Sequence, residues 1–245
     1  MTLHLDNITA LFLAWTLLLH PLAAWRGHRR LVRGDSIGPK LYRFRFSFYG
    51  ILFSTLIALA AAVTNQLSLP LVASPSSVLF GLAFSLALVF SATRQRRQVD
   101  AAQQERIRLL CAPANAKEWV WAVWVGLCAG IGEEIVYRGV LFQIIVQVTS
   151  SASVALLVCV LAFALAHLPQ GSPAIYVIAL FGICFHILYF VSGGLVAPVV
   201  AHATYDIAVF TVLYRREIHS SKNTTQSEAG SPTPEPNRLL DSSVS

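Results

Sequence analysis

Three ionisable side chains interrupt the apolar stretch that runs from residue 119 to residue 148, namely Glu133, Glu134 and Arg138. An ionisable group at membrane depth costs roughly 2.5–3.5 kcal/mol on insertion scales, so it needs a partner, a wet cavity or a function. Glu134 and Arg138 are four residues apart with the acid first, the favourable order for an ion pair along one helix face. Glu133 lies about 100° away round the helix and lacks such a partner. The spacing therefore predicts one structural pair and one carboxylate left for chemistry.

Two later apolar stretches carry further acid–base groups. His167 closes the run Phe163-Ala-Leu-Ala-His167, and His202 lies four residues before Asp206 on one face of the last apolar helix. Taken singly, His167 is typical of the membrane interface, and the His202–Asp206 pair is typical of a contact between helices. A further histidine, His186, has no partner at helical spacing and is predicted to be a packing residue. Because three helices each offer an acid or an imidazole, we expect these groups to converge into one site.

Together these groups supply the inventory for hydrolysis of an amide bond by an activated water. A carboxylate beside an imidazole can take a proton from water, and a second imidazole near a polar group can stabilise an oxyanion. No serine or cysteine has a comparably placed base, which argues against a covalent nucleophile. Glu133, His167 and His202 could alternatively hold a zinc ion, although the His-Glu-x-x-His pattern of soluble zinc proteases is absent. The sequence leaves both a metal-free and a zinc-bound water open.

The composition requires that these groups be positioned inside a membrane. Of 245 residues, 56% are hydrophobic and 12% are charged, whereas about 25% are charged in an ordinary soluble domain. The net charge of +6 resides mainly in two connectors between apolar runs rather than on one aromatic-studded face. The chain is therefore predicted to be a polytopic membrane protein whose partners include lipid and exclude nucleic acid.

Apolar runs predict an all-α transmembrane bundle of about seven spans. Runs near the roughly 20-residue length of a spanning helix occur at 8–25, 46–66, 77–92, 119–148, 152–168, 173–191 and 195–214. They are continuous rather than alternating, which excludes a barrel.

Charge in the connectors predicts the orientation. Connectors 26–45 and 93–118 are rich in arginine and lysine, which indicates the cytoplasmic side, and connector 67–76 contains neither residue. Seven spans then place the N-terminus outside and the C-terminus in the cytoplasm. If 119–148 split into two spans, giving eight, Arg215-Arg216 would lie outside, so we prefer one long, tilted or bent helix. The chain thus divides into N-terminal spans and connectors (1–118), catalytic membrane helices (119–217) and a polar tail predicted to be disordered (218–245).

The three motifs together resemble the CAAX prenyl endoprotease and bacteriocin-immunity family of intramembrane proteases, also called CPBP or Abi proteins. That family's pattern is Glu-Glu-x-x-x-Arg, then Phe-x-x-x-His, then His-x-x-x-Asn or Asp, on separate membrane helices; here the three motifs begin at Glu133, Phe163 and His202. The resemblance implies a helical bundle with a cavity open to the membrane and the cytoplasm. It implies that Glu133 and His167 activate water, while His202 and Asp206 bind the scissile carbonyl oxygen.

The resemblance also implies supporting roles and a substrate class. Glu134 and Arg138 would support the site or position a substrate, which would be a peptide or protein with or without a prenyl group. Where the family has asparagine, an amide can donate to an oxyanion, whereas Asp206 can do so only when protonated. Asp206 could instead orient His202 or bind a metal. No motif of the family matches the spans before residue 119.

Two other classes of function remain as alternatives. A non-catalytic immunity or scaffold protein would use the polar cluster only for structure. A proton or ion transporter would also place acids and histidines in the membrane, but secondary transporters commonly show an internal repeat. The acids and histidines of the three motifs all fall after residue 119, so the two halves of the chain show no such repeat, which disfavours a transporter.

Overall fold

The computed structural model of the chain describes residues 6–71, 73–95 and 100–229, and the described residues form helices without strands. The helices are α1 (Asn7–Val32), α2 (Lys40–Thr64), α3 (Pro75–Gln95), α4 (Ala101–Cys111), α5 (Ala116–Thr149), α6 (Ala152–Ala166), α7 (Ser172–Ser192) and α8 (Val196–Ala229). A 3-10 turn, Leu168–Gln170, joins α6 to α7. The prediction of an all-α polytopic bundle is confirmed.

Seven of these helices correspond to the seven apolar runs. Six are long and apolar enough to cross a membrane, and α4 is a connector helix between α3 and α5. The exception is α6, whose 15 residues extend about 22 Å, less than the roughly 30 Å of a hydrocarbon core. Large apolar side chains such as Phe46, Leu86 and Tyr176 point outward, as expected of a surface that faces lipid.

The long run 119–148 forms one continuous helix, α5, rather than two spans. Its middle section, Ile135–Leu141, is π-helical, a local widening that is frequent at functional sites. Glycines let α5 approach its neighbours closely. A methyl group at Gly130 would lie 2.5 Å from the Cβ of Ala203 on α8, and one at Gly132 would collide with the Thr55 hydroxyl on α2. Small residues of this kind allow tight packing of membrane helices.

Contacts between connectors bring the basic segments to one end of the bundle. Arg108 of α4 forms an ion pair with Glu217 of α8, with Nη1 and Oε2 3.3 Å apart. At the opposite end, the Leu195 N–H donates to the Pro70 carbonyl at 2.8 Å. The two ends therefore differ sharply in charge.

The last helix extends beyond the point where the polar tail was predicted to begin. α8 continues from Val196 to Ala229, so residues 218–229 are helical. The sequence between Pro198 and Gly230 contains no glycine or proline, so nothing in it breaks a helix that has already formed in the last span. Residues 230–245 of the predicted tail, and residues 96–99 of the basic connector 93–118, lie outside the described residues.

Candidate active site

The ion pair predicted from spacing on α5 is formed. Arg138 Nη1 lies 3.0 Å from Glu134 Oε1, and both side chains are completely buried. Burying two charges is tolerated only when their partners and remaining hydrogen bonds are well placed. The pair is therefore expected to depend on further contacts across helices.

Arg138 obtains those contacts from α6 and α7. Its Nη2 donates to the Gly182 carbonyl at 3.0 Å, and its guanidinium lies 5.0 Å from the ring of Phe163 and 5.5 Å from that of Phe185. His186 lies beside it, with Nδ1 2.9 Å from the Gly182 carbonyl and 3.3 Å from Arg138 Nε. Since a ring nitrogen cannot donate and accept at once, the shorter contact to the carbonyl assigns the proton to Nδ1.

His202 on α8 joins the buried pair to the rest of the site. Its Nδ1 lies 2.8 Å from Glu134 Oε1, and its ring stacks on Phe185 at a centroid distance of 5.1 Å. Its Nε2 lies 3.7 Å from Asp206 Oδ2 and 4.0 Å from Glu133 Oε2, too far for hydrogen bonds. The side chain that orients His202 is therefore Glu134, and Asp206 faces its other nitrogen.

Glu133 is more accessible than Glu134 and takes no part in the buried ion pair. Its side chain is 17% exposed, and its Oε2 has no hydrogen-bond partner among the described residues. An unpartnered carboxylate oxygen in an apolar bundle is costly unless water or a ligand reaches it. The assignment of Glu133 as the carboxylate left for chemistry stays a prediction.

His167 is held at the end of the short helix α6. Its Nδ1 lies 2.8 Å from the Phe163 carbonyl, so Nδ1 donates and Nε2 is left with a lone pair. The helix α6 is about 22 Å long and ends at Ala166, directly before His167. The imidazole lies against the Phe163 ring, at a centroid distance of 4.8 Å, and His167 lines a cavity inside the bundle.

A cavity of about 350 Å³ connects these groups. It is lined by Glu133, His167, His202 and Asp206, by apolar side chains of α3, α7 and α8, and by Gln103, Gln170 and Arg216 toward the basic end of the bundle. Glu134 and Arg138 do not line it. Of the six residues predicted for the site, four therefore border the cavity and two form its buried support.

The predicted metal ligands do not converge in this arrangement. Among the residues that the structure describes, no three His, Cys, Asp or Glu side chains are grouped so that they could hold a metal ion. Glu133 Oε2 and His202 Nε2 are 4.0 Å apart, and the other nitrogen of His202 is engaged by Glu134. The donor set of Glu133, His167 and His202 does not fit a zinc ion without rearrangement.

One histidine near the site was not found by sequence reasoning. His20 on α1 interacts electrostatically with both Glu133 and His167, and its ring stacks on Trp15 at 6.0 Å. It follows directly after a π-helical stretch, Trp15–Leu19. Its only sequence signal is a lone histidine in an apolar run that matches no motif.

Comparison with known families agrees with the motifs. Residues 115–208 match the family model described as type II CAAX prenyl endopeptidase Rce1-like. This range contains all three motifs, and the match confirms the resemblance to the CAAX proteases. A comparison with curated proteins and one with solved structures found no match. Residues 115–208 of this multi-pass membrane protein are therefore similar to the membrane-embedded endopeptidases of the CAAX-protease kind.

Proposed function

We propose that this chain, through its Rce1-like segment, hydrolyses a peptide bond near the membrane surface by means of a water activated by Glu133 and His167. The observation that carries the proposal is that Glu133, whose Oε2 has no hydrogen-bond partner among the described residues, lines the same cavity as His167. A carboxylate held without a structural partner beside an accepting imidazole is suited to general-base chemistry.

In the proposed reaction, Glu133 removes a proton from water while the oxygen of that water attacks the scissile carbonyl carbon. His167 orients the water by accepting a hydrogen bond from its second O–H at Nε2, because Nδ1 already donates to the Phe163 carbonyl. The tetrahedral intermediate collapses by breaking the C–N bond. The proton held by Glu133 passes to the leaving nitrogen, which returns Glu133 to its starting state.

His202 and Asp206 are proposed to stabilise the oxyanion. His202 donates from Nδ1 to Glu134, so Nε2 can donate to the oxyanion only when the ring carries both protons. The buried Glu134 carboxylate, which lies 2.8 Å from Nδ1, supplies a counter-charge for that form. Asp206 contributes a second donor if it is protonated, and its position opposite Nε2 supports this role better than the role of orienting His202.

The orientation of the bundle is part of the proposal. Arginine and lysine at one end indicate the cytoplasmic side, so the N-terminus lies outside, the C-terminus lies in the cytoplasm, and the cavity opens toward the cytoplasm. The proposed substrate is a peptide or protein at the cytoplasmic surface. The apolar lining from α3, α7 and α8 suits a lipid-modified peptide, and the proposal includes a prenylated substrate for that reason.

The proposal is tested with the purified full-length chain and the variants Glu133→Gln and His167→Asn. Cleavage of a prenylated peptide, of its unmodified counterpart and of a set of membrane proteins is measured by mass spectrometry. Loss of a general base lowers rates by about 10²–10⁴-fold, so both variants should lose nearly all activity. The exposed His219 provides the control, because His219→Asn should cleave at the wild-type rate. Full activity in both site variants would refute the mechanism.

A further inference from the structure

A second cavity, separate from the one described above, lies between α1 and α2. Its volume is about 570 Å³, and four arginines line it: Arg26, Arg29, Arg30 and Arg33. Trp25 and Phe46 form its apolar wall, and none of its lining residues is acidic. The cavity therefore combines a concentrated positive charge with aromatic side chains.

Among the described residues, most of this charge has no counter-charge. Arg33 lies 3.5 Å from Asp35, but both side chains are about half exposed, so the pair is weak. Within the ranges that the structure describes, Arg26, Arg29 and Arg30 form no ion pair with a carboxylate. The guanidinium of Arg29 lies 5.1 Å from the ring centroid of Trp25, which fixes its direction without neutralising it.

The surroundings of the cavity indicate a lipid rather than a soluble ligand. The arginines follow the apolar part of α1, where Leu18 and Leu22 face outward, and Phe46 at the cavity wall is 70% exposed. Tryptophan and arginine at the end of a span mark the level of the headgroups. Arginine binds phosphate through two parallel hydrogen bonds, and basic pockets beside cytoplasmic helix ends recognise lipid headgroups.

From this combination we propose that the cavity binds the phosphate headgroup of an anionic phospholipid, with the acyl chains lying along the exposed apolar face of α1. Arg29 and Arg30 are the principal ligands of the phosphate, and Trp25 lies at the boundary between headgroup and acyl chain.

Contacts of α1 join this cavity to the candidate active site. The His28 Nδ1–H donates to the Leu168 carbonyl at 2.9 Å, and a methyl group at Gly27 would lie 3.6 Å from the Pro169 ring. Leu168 directly follows His167. A lipid bound beside Arg29 would therefore stiffen the helix that supports the turn after His167; this consequence rests on the proposed function, whereas lipid binding does not.

The binding test uses the purified full-length chain in a neutral detergent. Phosphatidylglycerol is titrated onto the protein, with phosphatidylcholine and inorganic phosphate as comparison ligands, and bound molecules are counted by native mass spectrometry. Each basic side chain near a membrane strengthens binding of anionic lipid about fivefold. The double variant Arg29→Gln/Arg30→Gln should therefore bind phosphatidylglycerol about 25-fold more weakly.

Two further variants distinguish a specific lipid-binding site from general electrostatic attraction between the protein and the anionic lipid. Arg94→Gln/Lys117→Gln removes the same charge from the basic end of the bundle and should change the affinity less than about twofold. Arg29→Lys/Arg30→Lys keeps the charge but loses the paired hydrogen bonds, so its affinity should lie between those of wild type and the glutamine variant.

Three results would overturn the proposal. Equal weakening in the two glutamine pairs would indicate diffuse charge instead of a site. Equal binding of phosphatidylcholine would remove the role of the anionic headgroup, and inorganic phosphate binding as tightly as the lipid would assign the cavity to a soluble anion. None of these readouts uses peptide cleavage, so they stand or fall independently of the proposed reaction.

Discussion

The variant Arg138→Met tests whether the buried ion pair holds the site together. Methionine keeps an unbranched side chain in the bundle but removes the guanidinium. The substitution abolishes the hydrogen bonds to Glu134 Oε1 and to the Gly182 carbonyl, both at 3.0 Å, together with the stacking on Phe163 and Phe185. The Glu134 carboxylate then stays buried with one remaining partner, His202.

The expected magnitude follows from that remaining partner. Removing one member of a buried pair typically costs about 3–5 kcal/mol, because the other charge stays buried without compensation. Since His202 still lies 2.8 Å from Glu134, we expect the lower value, about 3 kcal/mol. For a chain of this size, 1 kcal/mol corresponds to roughly 2–4 °C, so the unfolding temperature should fall by about 6–12 °C.

Thermal unfolding of the purified variant in detergent measures the effect, and the double variant Glu134→Gln/Arg138→Met isolates the electrostatic part. With both charges gone, no uncompensated ion is left, so the double variant should be more stable than Arg138→Met alone. Arg108→Met is the matched control, because the Arg108 side chain is about half exposed, so its pairs with Glu105 and Glu217 should contribute about 1 kcal/mol or less each. Equal shifts for Arg138→Met and Arg108→Met, or a double variant that is no more stable than Arg138→Met, would refute this account.

Three further predictions concern packing, the missed histidine and metal. Gly130→Ala should lower the unfolding free energy by about 1–3 kcal/mol, because the new methyl group meets Ala203. Gly50→Ala is the control and should not lower it, because the space around Gly50 is open, and equal effects of the two variants in thermal unfolding would contradict the close packing of α5 on α8. His20→Gln should lower kcat/KM for peptide cleavage several-fold and alter its pH dependence, since His20 interacts electrostatically with Glu133 and His167; an unchanged kcat/KM and pH–rate profile would show that it has no such role. Incubation with a chelator should leave cleavage unchanged because the donors do not converge, and activity that is lost and then restored by Zn²⁺ would show that they rearrange around a metal.

Hydropathy was sufficient to predict most of the fold. The apolar runs have the length that a bilayer requires, and only helices satisfy their backbone in lipid, so span positions follow from sequence alone. The continuous helix α5 was predicted from charge in the connectors, since a split would have inverted the later spans. The extension of α8 to Ala229 was not predicted, because polar composition indicates low burial but does not by itself stop a helix that the membrane segment has already nucleated.

Spacing rules found only the contacts made within one helix. The Glu134–Arg138 pair is four residues apart and was predicted, but the bond from His202 to Glu134 joins residues 68 positions apart. The sequence therefore offered Asp206 as the partner of His202, because it is the acid at helical spacing. The structure gives Nδ1 to Glu134 instead, and no local pattern contains that information. His20 was passed over and His186 was predicted only as a packing residue, because Glu133 and Arg138, with which they interact, lie on another helix.

The adjacent acids Glu133 and Glu134 differ in role because one of them is buried in the core and the other lines the cavity. A rotation of about 100° turns Glu134 into the core, where Arg138 and His202 share its Oε1, and turns Glu133 toward the cavity. The same buried carboxylate both neutralises Arg138 and fixes the ring of His202, so the support of the site and the direction of Nε2 depend on one residue. Exchanging the two roles would need the helix to turn, which the contacts of Gly130 on α8 prevent. The functional asymmetry of two identical side chains is thus set by the packing of α5.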